Sequence, residues 1–363
     1  MDQPSSSSPK RSSIRFITLA TETWGAENTL LTLAGELRHS YPQYDLHLYA
    51  PEGALTREWQ AQRLGKVKAM PRWFGGELTH SRILLSQVLL VPLLIVQPRV
   101  DVIHSHHQWT HLPAAIAHRN SKVVLDLHDF VPTRSGRLVQ GVAATLANRI
   151  YLASARMANQ LPTVARASAF ALNRPVQIDV PPTTHDSRRV DQTRLTLMIA
   201  CRPDPNKEIG TALTQLTPHL RGGDRVLVAG GTAVDYGLED TPLNGHPKID
   251  FMGPVDRTTM GDLWCSVDVH ILPSPREPFG RVVVEAAAFD VPSILLSSAG
   301  TASVVREHDA GIVLDSWRDL DSALDMLRHP DRKLGFSNGL KNLVLSCSPS
   351  QIASRYVEKF PDA

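Results

Sequence analysis

The sequence predicts an α/β protein of two domains, each a parallel sheet covered by helices on both faces. Three observations carry this. Short apolar runs alternate with helical patterns along the whole chain, the order of strand–helix–strand units. The runs are apolar on both faces, as in parallel strands buried from both sides. The alternation pauses once, at PVQIDVPPTTHDSRRVDQ (175–192), where two adjacent prolines and polar residues read as a linker.

The first domain, 14–175, takes strands at 14–19 (IRFITL), 44–50 (YDLHLYA), 101–106 (DVIHSH) and 122–127 (KVVLDL). Helical patterns lie near 26–39, 80–97, 111–119 and 140–160. After the linker, 176–192, the second domain, 193–347, takes strands at 194–200 (RLTLMIA), 224–230 (DRVLVAG), 248–253 (KIDFMG), 267–272 (VDVHIL), 292–297 (PSILLS) and 310–315 (AGIVLD). Its helices fall near 206–219, 257–265, 279–289 and 317–329, and a closing amphipathic helix occupies 348–363. The opening MDQPSSSSPKRSS, residues 1–13, has no apolar run of a secretory signal and reads as a disordered tail.

Composition narrows the class. Hydrophobic residues are 42% and charged ones 20%, ordinary for a soluble globular chain of 363 residues. Three widely spaced cysteines, Cys201, Cys265 and Cys347, make no disulfide framework and fit a reducing, cytoplasmic setting. The longest apolar stretch, Ile83 to Val96, is 14 residues with Pro92 inside, too short to span a bilayer. The net charge of +2 hides an asymmetry: residues 1–190 hold 21 Lys/Arg against 13 Asp/Glu, and residues 191–363 hold 17 against 23. Phe130 to Ile178 contains six arginines and no acid. Such a field favours an anionic partner.

In open parallel sheets ligands sit beyond the carboxyl ends of the strands, so the loops there are the candidates. After the first strand, Gly25 opens a helix and lets a phosphate approach exposed N–H groups; no Rossmann or P-loop fingerprint is present. In CRPDPNKEIG, Arg202 and Lys207 flank a turn at a helix start, a forked donor and a point charge suited to a diphosphate. In SPREPFGRVVVEAAAFDVPSI, Pro278 is placed to start a helix, leaving the N–H groups of Phe279, Gly280 and Arg281 without helical partners. Glu277 sits in that turn. Glu285 interrupts an otherwise apolar helix, where a carboxylate needs a partner; a diol is one, and an Arg281–Glu285 ion pair is another. The first domain offers His104, His106, His107 and His128. Adjacent strand residues point to opposite faces, so these do not all converge on one ion, and no metal site is expected.

These residues resemble the retaining glycosyltransferases of family 4, with the GT-B fold: two Rossmann-like parallel-sheet domains facing a central cleft. The element EPFGRVVVE (277–285) matches the family's E-x7-E with its Pro-Phe-Gly insert. FMGPVDRTTMGDLWCSVDVHILPS precedes it as in that family, Arg202 and Lys207 match its Arg/Lys pair, and GAEN (25–28) is similar to its N-terminal loop. His128 resembles the histidine ending a first-domain strand. Departures are Trp24 where a glycine is common, Asp290 before Val291-Pro292, and AGTASVV (299–305), which lacks a second glycine and a following glutamate.

The resemblance implies a metal-independent, retaining hexosyl transfer from a nucleotide-diphosphate sugar to an acceptor hydroxyl. Arg202 and Lys207 would stabilise the leaving diphosphate, and Glu285 would hold the ribose. Glu277, with the N–H groups of Phe279 and Gly280, would hold the sugar, which His128 would contact near the reacting carbon. Gly25, Met252 and Arg281 complete the implied donor-binding set. A sugar-nucleotide epimerase, a phosphorylase or a non-catalytic binding protein of the same fold are the alternatives. Trp59, Trp73 and Phe74 among Arg57, Arg63, Lys66, Lys68 and Arg72 suggest peripheral contact with an anionic membrane surface and a lipid-linked or polymeric glycan acceptor. No nucleic-acid module is recognised.

Overall fold

The computed structural model describes residues 12–74, 80–118, 120–178, 194–329 and 334–360. The chain divides into two compact units, Met1–Pro175 with Pro349–Ala363, and Val176–Ser348.

Among the described residues the first unit holds seven strands: β1 (Ser12–Ile17), β2 (Tyr44–Pro51), β3 (Lys66–Met70), β4 (Val102–Ser105), β5 (Lys122–Leu127), β6 (Arg149–Leu152) and β7 (Ala169–Ala171). They pair in parallel in the order β3-β2-β1-β4-β5-β6-β7, with Ile14 between Leu46 and Val102. Alternation along β1 feeds two cores. Ile14 and Phe16 pack with Leu30, Leu33 and Leu37 of α1 (Gly25–Ser40), with Trp59 of α2 (Ala54–Ala61), and with Ile352 and Tyr356 near the C-terminus. Ile17 and Leu19 pack on the other face with Leu90 and Leu94 of α3 (His80–Ile95) and Ala114 and Ala117 of α4 (Gln108–Ala117). Helices α5 (Arg134–Leu146) and α6 (Thr163–Arg166) continue that second layer, α5 against α4 and α6 against α5.

The second unit holds six strands: β8 (Thr196–Ala200), β9 (Arg225–Ala229), β10 (Ile249–Gly253), β11 (Val269–Leu272), β12 (Ser293–Leu296) and β13 (Gly311–Leu314). They run in parallel in the order β10-β9-β8-β11-β12-β13. Its helices are α7 (Ile209–Leu216), α8 (Arg257–Ser266), α9 (Arg281–Ala288), α10 (Ala302–His308), α11 (Leu320–Arg328) and α12 (Ser337–Ser346). The last helix, α13 (Pro349–Glu358), returns to the first unit and packs on α1.

Both sheets are parallel, as the sequence predicted. Several elements differ. β1 begins at Ser12, inside the segment read as tail; residues 1–11 and 179–193, which take in most of the linker, lie outside the described residues. The helix expected over 140–160 stops at Leu146, and β6 follows at once. Asn148 Oδ1 accepts from Val123 N–H at 2.8 Å, tying the chain to β5 where a helix would have continued. The mixed aromatic and basic patch also resolves differently. Leu55 and Trp59, four apart on α2, turn inward together, and Trp59 and Phe74 are core residues. Only Trp73 of that trio stands at the surface, edge-on to Phe74.

Candidate functional site

In the second unit the loop after β8 carries Cys201 to Glu208. Asp204 Oδ1 accepts from Asn206 N–H at 2.8 Å and folds the turn. Ser274 Oγ, beyond β11, donates to Asn206 O at 3.4 Å. The turn thereby presents Lys207 to Glu277, and Lys207 Nζ donates to Glu277 Oε2 at 2.5 Å. Both side chains are part-buried, so the contact is drier than a surface ion pair. Arg202 lies five residues ahead on the same loop, exposed, and Met252 is exposed at the end of β10.

The turn holding Glu277 is built on two glycines. Helix α9 starts at Arg281, later than Pro278, and its N-cap is Gly280 with φ +76°, a left-handed conformation that disfavours other residues. Gly300 N–H donates to Glu277 O at 2.7 Å, and a Cβ on Gly300 would lie 1.8 Å from Pro278 O. The departure at 299–305 thus keeps the one glycine the turn requires. Beside it Thr301 is fully buried, and its Oγ1 has no hydrogen-bond partner among the described residues. Asp290 has φ +56°, which explains why a glycine is common there; aspartate is among the few residues that tolerate it.

Glu285 sits half-buried on α9 between Val284 and Ala286, both in the core. Burial raises its carboxyl above the ordinary value; Arg281 and Arg257 pull it down without overcoming that. Burial correspondingly lowers Arg281. Cys201, behind the Lys207 loop, is pushed up to about 12 by burial and is inert as a nucleophile.

The first unit carries a second constellation, at the ends of β4 and β5. Its hub is Asp126, which sequence reasoning passed over in favour of its neighbours. Arg174 Nη1 lies 2.7 Å from Asp126 Oδ1. Three imidazoles approach Oδ2: His128 Nε2 at 3.1 Å, His104 Nε2 at 3.4 Å and His106 Nδ1 at 3.4 Å. Burial works to raise the Asp126 carboxyl; Arg174, His128 and His104 override it and hold the group well below the carboxylate range.

His106 Nε2 is 3.0 Å from Ala26 O, a pure acceptor, so it carries a hydrogen. His128 Nε2 lies 3.1 Å from Asp126 Oδ2, a pure acceptor, and donates to it, with His106 Nδ1 2.9 Å away. His128 Nδ1 is left as the acceptor. Burial lowers the His128 pKa well below its usual value against the pull of Asp126, so the ring is neutral. His104 completes the set: Nε2–H faces Asp126, and Nδ1 accepts from Tyr356 O–H on α13 at 2.9 Å. His106 also ties His128 to the α1 loop, where Glu27 accepts from Trp24 N–H at 3.2 Å and closes the helix start beside Gly25.

The ligand atoms of His104, His106 and Asp126 lie within 4.8 Å of one another. Asp126 already has Arg174 as its counter-charge, which lowers the attraction of these groups for a cation. His107 points elsewhere, accepting from Trp109 N–H at 3.4 Å. Arg174, which pairs with the hub, and Tyr356, which bonds His104, come from distant segments; the local signal was Asp126 two residues before His128, on the same strand face.

Comparison with known proteins places this architecture. The family model of glycosyl transferases group 1 matches residues 194–328, and that of glycosyltransferase family 4 matches residues 24–182. Between them they take in most of the chain, which belongs to the family 4 glycosyltransferases of GT-B fold.

Among curated relatives, a D-inositol 3-phosphate glycosyltransferase of Thermobispora bispora is 24% identical over 67% of this chain and 54% of its own. An uncharacterized glycosyltransferase of Methanocaldococcus jannaschii is 36% identical over 25% of this chain and 24% of its own. The chain thus spans about half or less of the length of these relatives. Among solved structures, Anabaena HepE in complex with UDP and glucose superposes with a TM-score of 0.72, at 18% identity, over 96% of this chain and 99% of that one. A sucrose-phosphate synthase from Thermosynechococcus elongatus gives 0.73 at 15% identity, over 96% and 98%. At these identities the likeness is one of fold.

Proposed function

We propose that the protein transfers a hexosyl group from a nucleotide-diphosphate sugar to an acceptor hydroxyl with retention of configuration and without a metal. One observation carries the reading: the Lys207–Glu277 pair at the strand ends of the second unit, beside a helix that holds Glu285 in an apolar setting. Before the donor binds, the two partners neutralise each other. A diphosphate competes for Lys207, with Arg202 as the second cation, and frees Glu277 for sugar hydroxyls. That cationic pair supplies the charge stabilisation of the leaving group, the reason for the metal-free assignment. The N–H groups of Phe279, Gly280 and Arg281 face the sugar and phosphates. Glu285 grips the ribose diol, and Met252 and Gly25 complete the donor contacts. On the first unit, His128 is assigned a contact with the sugar from the family resemblance. The complex of HepE with UDP and glucose supports a nucleotide-sugar donor. The acceptor is a lipid-linked or polymeric glycan, met at an anionic membrane surface; nucleic acid is not a partner.

Proton NMR of a nucleotide-sugar panel with candidate acceptors, in chelator, tests this. The expected result is loss of one donor, release of its nucleoside diphosphate and a product with the donor's anomeric configuration. A free sugar phosphate, or epimerised donor with no acceptor consumed, indicates a phosphorylase or an epimerase and overturns it.

A further inference from the structure

The two helical layers of the first unit differ in charge. Helices α1, α2 and α13 carry Glu27, Glu36, Glu58 and Glu358; helices α3, α4, α5 and α6 carry no acid at all. Four arginines, Arg82, Arg134, Arg137 and Arg166, stand on these helices; the stretch 78–178 holds three Asp, and none of the three stands on a helix. Asp101 binds Ser13 at 2.7 Å, Asp126 is buried, and Asp129 is in the loop after β5. The same layer is apolar outward. Val88, Ile116, Leu138, Val142, Leu146 and Val164 are exposed, at 62%, 53%, 71%, 46%, 50% and 76%. The packing of α3 on α4, α4 on α5 and α5 on α6 makes these one layer. Leu138, Val142 and Leu146 repeat every four residues on α5, and Arg134 stands one step ahead of them. Arg134 and Arg137 occupy the first turn of α5, where the helix dipole favours acids.

We propose that the α3–α6 layer is a docking surface for an anionic lipid bilayer. It deepens the membrane contact of the preceding reading and moves it away from the patch around Trp59 and Phe74, because both of those aromatic side chains are buried. Exposed apolar side chains spread over four helices suit insertion among lipid headgroups, and the exposed Arg134 and Arg166 on helices without an acid are complementary to anionic lipid. A second copy of the chain fits poorly, because a two-fold contact would set arginine against arginine with no acid between.

The test is flotation of the full chain with vesicles of phosphatidylcholine alone or with phosphatidylglycerol, which reads binding without turnover and so fails separately from the transferase reading. Binding is expected to the anionic vesicles only and to weaken with salt. Arg134→Glu is expected to lower partitioning by at least about fivefold. L138S/V142S is expected to lower it further at unchanged melting temperature, and Arg38→Glu on α1 to leave it intact. The proposal is overturned by equal binding to both vesicles, by no binding, or by variants that bind like wild type. It is equally overturned if the wild type sediments as a dimer that L138S/V142S converts to monomer.

Discussion

The Asp126 cluster and the Lys207–Glu277 pair are both polar groups at strand ends, yet they are built in opposite ways. Around Asp126 three rings and an arginine gather on one carboxylate, with Tyr356 behind His104. Lys207 and Glu277 stand part-exposed with one bond between them. The first arrangement is costly to disturb and suits holding a ring in one tautomer. The second exchanges partners readily and suits a ligand that comes and goes.

The largest expected effect breaks the first arrangement. Asp126→Asn leaves Arg174 buried without its counter-charge, and a loss of about 3–5 kcal/mol in urea unfolding is expected. Adding Arg174→Met should recover part of it. Equal stability of Asp126→Asn and wild type would contradict the cluster as described.

Acid should weaken the same regions next. Burial lowers His107 to about 4, and His111 and His270 to about 3, so these rings stay neutral in the fold. Their contribution is complete above the unfolded histidine value, near 6.5, and is lost as pH falls through the folded values. Asp126 adds to the loss below the ordinary carboxylate range. Melting temperature is therefore expected to drop as pH goes from about 6.5 to 4; a flat profile would sink this.

Glu285 reverses that sign. Its folded carboxyl is raised, so its stabilising contribution is complete below the unfolded carboxylate value and is lost as pH rises through the folded one. Glu285→Gln should melt at or above the wild-type temperature at pH 7, while nucleoside diphosphate binding in calorimetry falls at least about tenfold. The smallest effect belongs to the exchangeable pair. Glu277→Gln and Lys207→Met should each change stability by no more than about 1 kcal/mol, yet abolish turnover.

The ends of this contrast were unequally legible in the sequence. Glu277, Gly280 and Glu285 stand within one short stretch, where spacing alone draws them together, whereas Lys207 meets Glu277 across 70 positions and only through folding. The sequence does not mark Asp126 as a hub, because Arg174 reaches it, and Tyr356 reaches His104, only through tertiary folding. The strands show the same split. KVVLDL was placed at 122–127, where β5 lies. KVKAM, with two lysines on an edge strand, and AFA, three residues long, gave no apolar run to find. Gly300 passed as an ordinary loop residue, because the carbonyl it must clear belongs to a turn 22 positions earlier.

The central claim, a metal-free nucleotide-sugar site on the second unit, is tested most directly by thermal shift with UDP, GDP, ADP and TDP in chelator. At 100 times its dissociation constant, a ligand stabilises by about 2.7 kcal/mol. The account predicts one nucleotide that shifts the wild type and fails to shift Arg202→Ala and Glu285→Gln. No shift with any of the four, or a shift that survives both substitutions, would contradict it.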